Sequence, residues 1–413
     1  MRKSQIAVLC VLMAAALLLA VALFILPGEL GSAKETTQTE VPTLPTQTVE
    51  TTEETQPETT EAPDPYLARA EEIMDGMTDY EKVCQLIILL PDTITGVSPT
   101  TQAGDLSRQA LETYPVCGFS FGQNNLRNRE QVTQMLEGFQ SYSKLGMMFC
   151  LDEEGGIVWR VMGNNALGTT RLESMYNYKD QGTQTAYDNA KTIAQDISAL
   201  GFNVDFAPVA DVWSNPDNTV IGKRAYSDDF AQAAELIPEA VKGFHDGGVA
   251  CTLKHFPGHG CTVQDSHQGL AIVDRTEEEL WEEELVPFKA GIDAGADLVM
   301  VGHLKVDALD PEYPATLSYD IVTGLLREKL GFEGVVITDS LGMGALNDYT
   351  ETEKAVLAIN AGCDILLGVR NPSTTIPGLQ KSIEDGTLTM ERVEESVLRI
   401  LMFKLRRGII PME

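Results

Sequence analysis

Eight short runs of apolar or β-branched residues alternate along the chain with longer stretches whose apolar positions recur every three or four residues. Short continuous apolar runs are typical of strands buried on both faces of a parallel sheet, and a spacing of three to four is typical of amphipathic helices. The predicted strands are residues 86–90, 117–121, 147–151, 203–206, 249–253, 297–301, 335–338 and 364–367.

The stretches between these strands include predicted helices at residues 129–144, 185–200, 229–246, 276–294 and 319–330. Gly201, Gly247 and Gly331 follow three of them, at the position where glycine often ends a helix. Eight βα units in about 350 residues predict an α/β fold, a single (β/α)8 TIM-type barrel over residues 65–413. A doubly wound open sheet is the alternative, but no G-x-G-x-x-G follows the first strand. Residues 91–104 are predicted to form a loop at the barrel mouth.

The amino terminus has the pattern of an export signal or a membrane anchor. Arg2 and Lys3 precede an uncharged apolar run at residues 6–26, which as a helix would extend about 31 Å, the thickness of a bilayer core. Cleaved signals usually have a shorter apolar region of about 7 to 15 residues, which favours an anchor. Small residues ending at Ala33 offer a cleavage site for the other outcome. Residues 1–31 form this predicted signal or anchor segment, and on either outcome the positive-inside rule places everything after Leu26 outside the cytoplasm.

Residues 32–64 differ sharply in composition from the rest of the chain. Eleven threonines lie between Thr36 and Thr60, interleaved with Glu and Pro, and apolar side chains are scarce. Such a segment cannot bury enough surface to offset the entropy lost on ordering. We therefore expect a disordered tether between the amino-terminal segment and the barrel.

Composition and charge exclude some classes of function. The 413 residues are 43% hydrophobic and 22% charged, as in an ordinary globular protein. The net charge of −31 repels phosphate backbones, so nucleic acid is not an expected partner. The seven cysteines show no C-x-x-C spacing, and most lie in apolar runs, which is typical of buried free thiols.

Polar residues follow several of the predicted strands directly. Asp152 follows the third strand, Lys254 and His255 the fifth, His303 the sixth and Asp339 the seventh. Because the carboxyl ends of barrel strands meet at one mouth, these side chains are expected to form a catalytic site.

The segment 254–260, with the sequence KHFPGHG, and the nearby Asp265-Ser266-His267 contain three of the five histidines. His255 and His259 have the spacing of a helical zinc pair, but Pro257 and Gly258 between them make a helix improbable, so no metal is predicted.

Asp265 and His267 are interpreted as a dyad, in which a carboxylate orients an imidazole that acts as general acid and then as base. Asp339 ends a buried strand and is a candidate nucleophile toward a sugar C1; the alternative is a helix-capping aspartate.

These motifs together resemble the bacterial β-N-acetylhexosaminidases of glycoside hydrolase family 3. The resemblance rests on KHFPGHG, on the loop ending DSH and on VVITDSLGM at residues 335–343. It extends over nearly all of residues 64–413 and includes DEEGG at 152–156, NVDFAPV at 203–209 and VIGKR at 220–224.

The resemblance implies a role for each matching residue. Asp339 matches the catalytic nucleophile, His267 the general acid/base and Asp265 the carboxylate that polarises it. Residues matching contacts to the terminal sugar are Asp152, Arg160, Arg224, Lys254 and His255, with His303 near the sugar. Family members usually have an aspartate at the position of Cys261, which leaves the effect of this thiol on loop closure open.

The implied activity is that of a retaining exo-β-N-acetylglucosaminidase, with peptidoglycan fragments as the expected source of substrate. It implies no cofactor and no metal. We expect an extracytoplasmic monomer whose partners are glycans with terminal N-acetylglucosamine and, if the amino terminus is not cleaved, the membrane. The alternatives are a β-glucosidase or xylosidase, a phosphorylase of the same family and an inactive, anchored muropeptide-binding protein.

Overall fold

The computed structural model describes residues 64–264 and 269–413. The predictions for the amino-terminal segment and for the tether up to residue 63 lie outside the described residues. The same is true of Asp265 and His267.

Ten strands form the two sheets of the described residues. They are β1 (Ile87–Leu89), β2 (Gly118–Ser120), β3 (Met148–Leu151), β4 (Val204–Asp205), β5 (Ala250–Phe256), β6 (Ala271–Ile272), β7 (Leu298–Val301), β8 (Leu304–Lys305), β9 (Val335–Thr338) and β10 (Leu366–Leu367). Eight of them lie within or next to the predicted strands, and β6 and β8 were not predicted. Nearly all of their residues are buried, which explains the continuous apolar runs in the sequence.

The eight predicted strands form one parallel sheet in the order β10-β1-β2-β3-β4-β5-β7-β9. A parallel bridge between Ile337 and Ile365 joins its two ends. The sheet is therefore a nearly closed barrel, which fits the predicted (β/α)8 fold and excludes the open sheet. The two short strands β6 and β8 form a separate parallel pair. In the sequence, β6 follows β5 and β8 follows β7.

Helices occupy most of the connections between barrel strands. They are α1 (Pro65–Asp75), α2 (Asp79–Gln85), α3 (Pro91–Thr95), α4 (Asp105–Thr113), α5 (Arg129–Tyr142), α6 (Thr183–Ser198), α7 (Phe230–Asp246), α8 (Glu277–Glu282), α9 (Leu285–Asp293), the π-helix Asp320–Lys329, α10 (Glu351–Ala361), α11 (Pro372–Glu384) and α12 (Met390–Arg406). Short 3₁₀ helices lie at Gln123–Asn125, Asn165–Leu167, Met175–Gln181, Gly222–Arg224, Ala315–Leu317 and Gly344–Leu346.

Two of the helix predictions were wrong in detail. The helix predicted at residues 276–294 is divided into α8 and α9. Pro287 explains the break, because its ring would clash with the carbonyl of Glu283 four residues earlier in a continuous helix. The helix predicted at 319–330 is a π-helix, in which the Leu330 N–H donates to the carbonyl of Leu325, five residues back.

The glycine positions at helix ends were partly confirmed. Gly201 and Gly331 have the left-handed φ angles of 101° and 73° that favour glycine. Gly247 has a φ of −82°, and the left-handed residue is its neighbour Gly248, with a φ of 88°. The segment predicted as a mouth loop at 91–104 begins with the short helix α3 and does contribute Thr93 to the main cavity.

The Asp364 carboxylate connects the start of the last barrel strand, β10, to β9, to the π-helix and to α12. Its carboxylate is fully buried and accepts hydrogen bonds from the Val336 N–H at 2.9 Å, the Arg327 guanidinium at 2.6 Å and the Ser396 hydroxyl at 2.8 Å.

Removing one partner of a buried ion pair leaves an uncompensated charge. We expect Asp364→Asn to lower the free energy of unfolding by about 3 kcal/mol, measured by urea denaturation. The same change at the exposed Asp348 is expected to alter it by less than about 0.5 kcal/mol, and equal effects of the two changes would contradict this account.

Candidate active site

A cavity of about 720 Å³ opens at the carboxyl ends of the barrel strands. Its lining comes from strands around most of the barrel and from the loops that follow them. Among the lining residues are six of the nine predicted site residues: Asp152, Arg160, Arg224, Lys254, His255 and Asp339. The structure therefore brings together residues that are up to 187 positions apart in the sequence.

Asp152, just after β3, is held between two cations. Its Oδ1 accepts a hydrogen bond from Lys254 Nζ at 2.8 Å, and its Oδ2 accepts one from the Arg160 guanidinium at 2.8 Å. Burial raises the pKa of Asp152, but the charges of Lys254 and Arg160 outweigh burial and hold it below its ordinary value. A carboxylate has about four lone-pair positions, so Asp152 can still accept hydrogen bonds from ligand hydroxyls.

Glu154 links a further cation, Arg224, to Lys254 in the wall of the cavity. Its carboxylate accepts a bidentate pair of hydrogen bonds from the Arg224 guanidinium, each 2.8 Å long. The Lys254 ammonium lies 2.6 Å from the same carboxylate. Both Glu154 and Lys254 have side chains only 2% exposed. Burial raises the pKa of Glu154, and the charges of Arg224 and Lys254 reverse that effect, so its pKa lies well below the ordinary range.

Five charged groups form a chain in which each cation contacts at least one carboxylate. Arg224, Glu154, Lys254 and Asp152 follow one another, and Arg160 ends the series. Because these contacts fix the long side chains, their N–H groups are held in place before a ligand binds. Such an arrangement suits the recognition of a neutral, polyhydroxylated ligand by a fixed set of donors and acceptors.

His255 lies in β5 and is oriented by a buried aspartate. Its Nδ1 is 2.7 Å from Oδ2 of Asp211, which also accepts the His255 N–H at 3.0 Å. The other oxygen of Asp211 accepts the His259 N–H at 2.6 Å. Since a carboxylate only accepts, we assign a proton to Nδ1, which donates to Asp211. His255 is in a strand and not in a helix, as expected from Pro257 and Gly258.

Asp339 follows β9 directly and lines the cavity. Its Oδ1 accepts the Ser340 N–H at 2.7 Å, and among the described residues Oδ2 accepts no hydrogen bond. Burial raises the pKa of Asp339, but the imidazoles of His255 and His303 and the Ser340 N–H together hold it below its ordinary value. Asp339 is therefore an ionised carboxylate with one oxygen available to a ligand.

His303 is not among the residues that line the cavity, and its position near the sugar stays a prediction. It is fully buried, with Nδ1 2.8 Å from the Thr316 hydroxyl and Nε2 2.9 Å from the Ser340 carbonyl. Burial lowers the pKa of His303, although the Asp339 charge opposes this. Its place is behind Asp339, where it supports the backbone of the residue that follows the carboxylate.

The sequence motifs contain two further residues whose part in the site was not predicted. Glu153 accepts the backbone N–H groups of Arg160, Val161 and Met162, at 2.7, 2.8 and 3.2 Å, and so fixes the segment that carries Arg160. Asp211 orients His255, as described above. The only signal for both in the sequence was the presence of an acidic residue inside an otherwise apolar or glycine-rich motif.

Cys261 lies four residues before Asp265 of the predicted dyad in the sequence and is partly exposed. Burial raises the pKa of its thiol, and the nearby Glu284 carboxylate raises it further, so Cys261 is a neutral thiol.

A separate cluster outside the cavity has side chains of the types that bind metal ions. Ligand atoms of His245, Cys251 and Asp297 lie within 4.8 Å of one another near the amino-terminal ends of β5 and β7. The Arg407 guanidinium contacts both Asp297, at 2.5 Å, and His245. Because Arg407 brings a positive charge into the cluster, its side chains fit an ion-pair network better than a cation site.

Comparisons with known proteins agree with this geometry. The sequence model of the Glycosyl hydrolase family 3 N terminal domain matches residues 80–403. The chain is 36% identical over 278 residues to a β-hexosaminidase of Stenotrophomonas maltophilia (strain R551-3), covering 66% of this chain and 81% of that protein. It is 34% identical over 335 residues to β-hexosaminidase A of Pseudoalteromonas piscicida, covering 74% of this chain.

Solved structures show the same relationship. A family 3 β-N-acetylglucosaminidase from Paenibacillus sp. str. FPU-7 superposes on 81% of this chain with a TM-score of 0.76 and 36% identity. The M tuberculosis protein LpqI superposes on 84% of this chain and 97% of its own, with a TM-score of 0.72 and 28% identity. The chain spans only 56% of the Pseudoalteromonas protein and 63% of the Paenibacillus structure. The family match covers most of the predicted barrel, and the chain belongs to glycosyl hydrolase family 3.

Proposed function

We propose that this chain is a retaining exo-β-N-acetylglucosaminidase that removes terminal β-linked N-acetylglucosamine, with peptidoglycan fragments as the natural source. The observation that carries the proposal is the ionised Asp339 in one cavity with Asp152, Arg160, Arg224, Lys254 and His255. The names of the relatives, β-hexosaminidase and β-N-acetylglucosaminidase, support the choice of sugar.

In the first step of the proposed reaction, the free oxygen of Asp339 attacks C1 of the bound sugar. The bond from C1 to the leaving oxygen breaks, and protonated His267 transfers its proton to that oxygen. In the second step, neutral His267 takes a proton from water, which attacks C1 and releases Asp339. Two displacements at C1 restore the β configuration. Asp265 orients His267 and stabilises its charged form.

The network of charged residues in the cavity binds the sugar during both steps. Asp152 accepts hydrogen bonds from ring hydroxyls, while Lys254, Arg160 and Arg224 donate to hydroxyl or acetamido oxygens. Because Lys254 and Arg224 are already fixed by Glu154, little side-chain freedom is lost on binding.

The first experiment compares chromophore release from the nitrophenyl glycosides of β-N-acetylglucosamine and β-glucose, using the full-length chain with and without inorganic phosphate. Free N-acetylglucosamine released from the first glycoside alone would support the proposal. A sugar phosphate formed only with phosphate would identify a phosphorylase, and cleavage of the glucoside alone would identify a β-glucosidase. No cleavage of either glycoside would favour a binding protein, to be tested by muropeptide binding.

The proposed dyad predicts the effect of Asp265→Ala on the pH profile. Without the carboxylate, His267 is less basic, so we expect turnover to fall about 10²-fold and the alkaline limb of kcat/KM to move to lower pH. The lowered pKa of Asp339 places the ionisation of the nucleophile on the acid side of the profile, so the alkaline limb reports the acid/base. The measurement is kcat/KM from pH 4 to pH 9. A variant with the wild-type profile would exclude Asp265 from the dyad.

We further propose that the barrel works as a monomer outside the cytoplasm, anchored or released after cleavage. The proposal is supported by Arg2 and Lys3 before the apolar run at residues 6–26. Among the residues from 64 onward that the structure describes, no helix is long and apolar enough to cross a bilayer. Fractionation of cells with amino-terminal sequencing of the mature protein tests the proposal, and an uncleaved chain in the cytosol would contradict it.

A further inference from the structure

Three successive backbone carbonyls after the proposed nucleophile each accept a hydrogen bond from a basic side chain that lies elsewhere in the sequence. The pairs are Ser340 with His303 at 2.9 Å, Leu341 with Lys354 at 2.7 Å, and Gly342 with Arg370. Backbone carbonyls are ordinarily bonded by backbone N–H groups, so three side-chain donors in a row are a feature of this segment. The backbone that follows Asp339 is therefore held by side chains as well as by its strand neighbours.

Lys354, in α10, makes the central one of these contacts from behind the cavity. It is only 4% exposed and is not among the residues that line the cavity. Its ammonium also lies 2.7 Å from the carboxylate of Glu351, one turn earlier in the same helix. Lys354 is thus a buried cation shared between one carboxylate and one carbonyl of the segment that follows the nucleophile.

A lysine at this place costs stability. Burying an ammonium group is expensive even when it is paired, and the helix dipole opposes a positive charge near the start of a helix. The start of α10 already has a complete capping box, formed by Thr350 and Glu353, so the helix does not need Lys354 to begin. An apolar side chain of similar length would fill the same space at lower cost. The contact with Leu341 therefore indicates a role for Lys354 beyond folding.

The segment bonded by Lys354 sets the position of the nucleophile. The Leu341 N–H donates to the Leu367 carbonyl at 2.8 Å, so Leu341 is held by β10 on one side and by Lys354 on the other. Ser340 lies between this fixed residue and Asp339, and its N–H donates to Oδ1 of Asp339 at 2.7 Å. Holding Ser340 in this way keeps Oδ1 bonded to the backbone and leaves Oδ2 for the sugar.

We propose that Lys354 is a positioning residue for the nucleophile: by holding the Leu341 carbonyl, its ammonium keeps Oδ2 of Asp339 directed at C1 of the bound sugar. This inference rests on the function proposed above, in which Asp339 attacks C1. Lys354 contacts neither the sugar nor the reacting atoms and acts through the backbone. Its loss therefore slows the attack and leaves the binding of the sugar by Asp152 and Lys254 unchanged.

Lys354→Met in the full-length chain tests the inference, because methionine keeps most of the length of the side chain and removes the ammonium. We expect kcat/KM for the nitrophenyl N-acetylglucosaminide to fall about 10²-fold, as for a reacting group that is slightly misplaced. Binding of N-acetylglucosamine, measured by calorimetry, is expected to stay within about twofold of the wild type. A wild-type kcat/KM, or binding that weakens as much as kcat/KM falls, would overturn the inference.

Lys404→Met is the matched control for the loss of a buried ammonium. Lys404 is fully buried in α12 and also donates to a backbone carbonyl, that of Cys117 at 3.0 Å. Cys117 directly precedes β2, at the end of the barrel opposite the cavity. We expect both methionine variants to unfold at lower urea concentrations than the wild type and only Lys354→Met to lose kcat/KM. Equal losses of kcat/KM would reflect stability alone and would overturn the inference.

Lys354→Arg and Lys404→Arg keep the buried charge and are measured in parallel. A planar guanidinium does not place its nitrogens where the ammonium lies, so we expect Lys354→Arg to lower kcat/KM about tenfold, between the wild type and Lys354→Met. Lys404→Arg is expected to keep the wild-type value. If Lys354→Met does not fold, this pair decides the question, and equal kcat/KM in the two arginine variants would overturn the inference.

The leaving group identifies the step that Lys354 affects. Dinitrophenolate leaves without receiving a proton, so a defect in proton transfer by His267 shrinks on the dinitrophenyl glycoside, whereas a defect in the attack of Asp339 persists. We expect Lys354→Met to lose the same factor in kcat/KM on the dinitrophenyl and nitrophenyl N-acetylglucosaminides. A loss that disappears on the dinitrophenyl glycoside would assign Lys354 to the acid/base and overturn the inference.

Failure of the proposed function has a different signature. If the wild type cleaved only the nitrophenyl β-glucoside, the proposed sugar would be wrong, and the same variants would decide this inference on the glucoside. If the wild type cleaved neither glycoside, both proposals would be overturned. Cleavage by the wild type with no loss in Lys354→Met overturns only this one.

Discussion

Asp339→Asn is expected to lower turnover of the nitrophenyl N-acetylglucosaminide by at least about 10⁴-fold, because it removes the charge of the attacking oxygen while keeping the size of the side chain. The nearby imidazoles and the Ser340 N–H stabilise the ionised form of Asp339. A neutral amide at this position does not require these contacts. We therefore expect the variant to fold and to bind substrate. Steady-state kinetics measures the loss, and binding of N-acetylglucosamine measured by calorimetry shows that the site is intact.

Asp348→Asn provides the matched control for this experiment. Asp348 lies nine residues further along the chain and is exposed. We expect Asp348→Asn to retain wild-type turnover. If Asp339→Asn kept more than a few per cent of wild-type turnover, the assignment of Asp339 as nucleophile would be wrong.

Glu154→Gln is expected to have the second largest effect, because it acts on stability and activity together. The amide cannot balance the charges of Arg224 and Lys254, which are both largely buried. Removing one partner of a buried ion network costs about 3–5 kcal/mol of unfolding free energy. We also expect kcat/KM to fall about 10²-fold, since Lys254 and Arg224 lose the contact that fixes them. Urea denaturation and steady-state kinetics give the two values.

The pH dependence of this stability difference follows from the pKa of Glu154. Burial raises that pKa, and the charges of Arg224 and Lys254 lower it below its ordinary value. A group of this kind stabilises the fold fully above its unfolded-state pKa, about 4.3, and less as pH falls toward the folded-state pKa. The difference between wild type and Glu154→Gln should therefore be full at pH 7 and smaller at pH 3.

The exposed Glu130 is the control for Glu154, because Glu130→Gln removes the same charge from the surface of α5. We expect a change of less than about 0.5 kcal/mol in unfolding free energy. Equal effects of the two variants, or a Glu154 difference independent of pH, would contradict the role of the network.

The barrel could be predicted from sequence because its strands are buried on both faces. Continuous apolar runs follow directly from that burial, and polar residues after several of the runs mark strand ends. Asp152 and Asp339 were found in this way. The division of the helix predicted at 276–294 coincides with Pro287, but Pro238 lies inside the continuous helix α7, so a proline alone does not predict such a break. The π-helix and the small sheet of β6 and β8 depend on tertiary contacts that no local pattern indicates.

The partners of the site residues were harder to predict, because they come from distant parts of the chain. Glu154 and Arg224 are 70 residues apart, and Asp211 and His255 are 44 apart. An acidic residue in a motif can accept a hydrogen bond from a ligand, from a backbone N–H or from a side chain, and sequence alone does not distinguish these three partners. His303 also follows a strand, but its ring is hydrogen-bonded to Thr316 and to the Ser340 carbonyl and is not among the residues that line the cavity.

The most direct test of the central claim is a mass measurement on the full-length chain after reaction with a fluorinated N-acetylglucosaminyl donor that forms the covalent intermediate faster than water removes it. We predict that the mass rises by one sugar, that the sugar is on the peptide containing Asp339, and that Asp339→Asn is not labelled. A label on another residue would contradict the account, as would release of the α-configured sugar from ordinary substrate by an unlabelled enzyme.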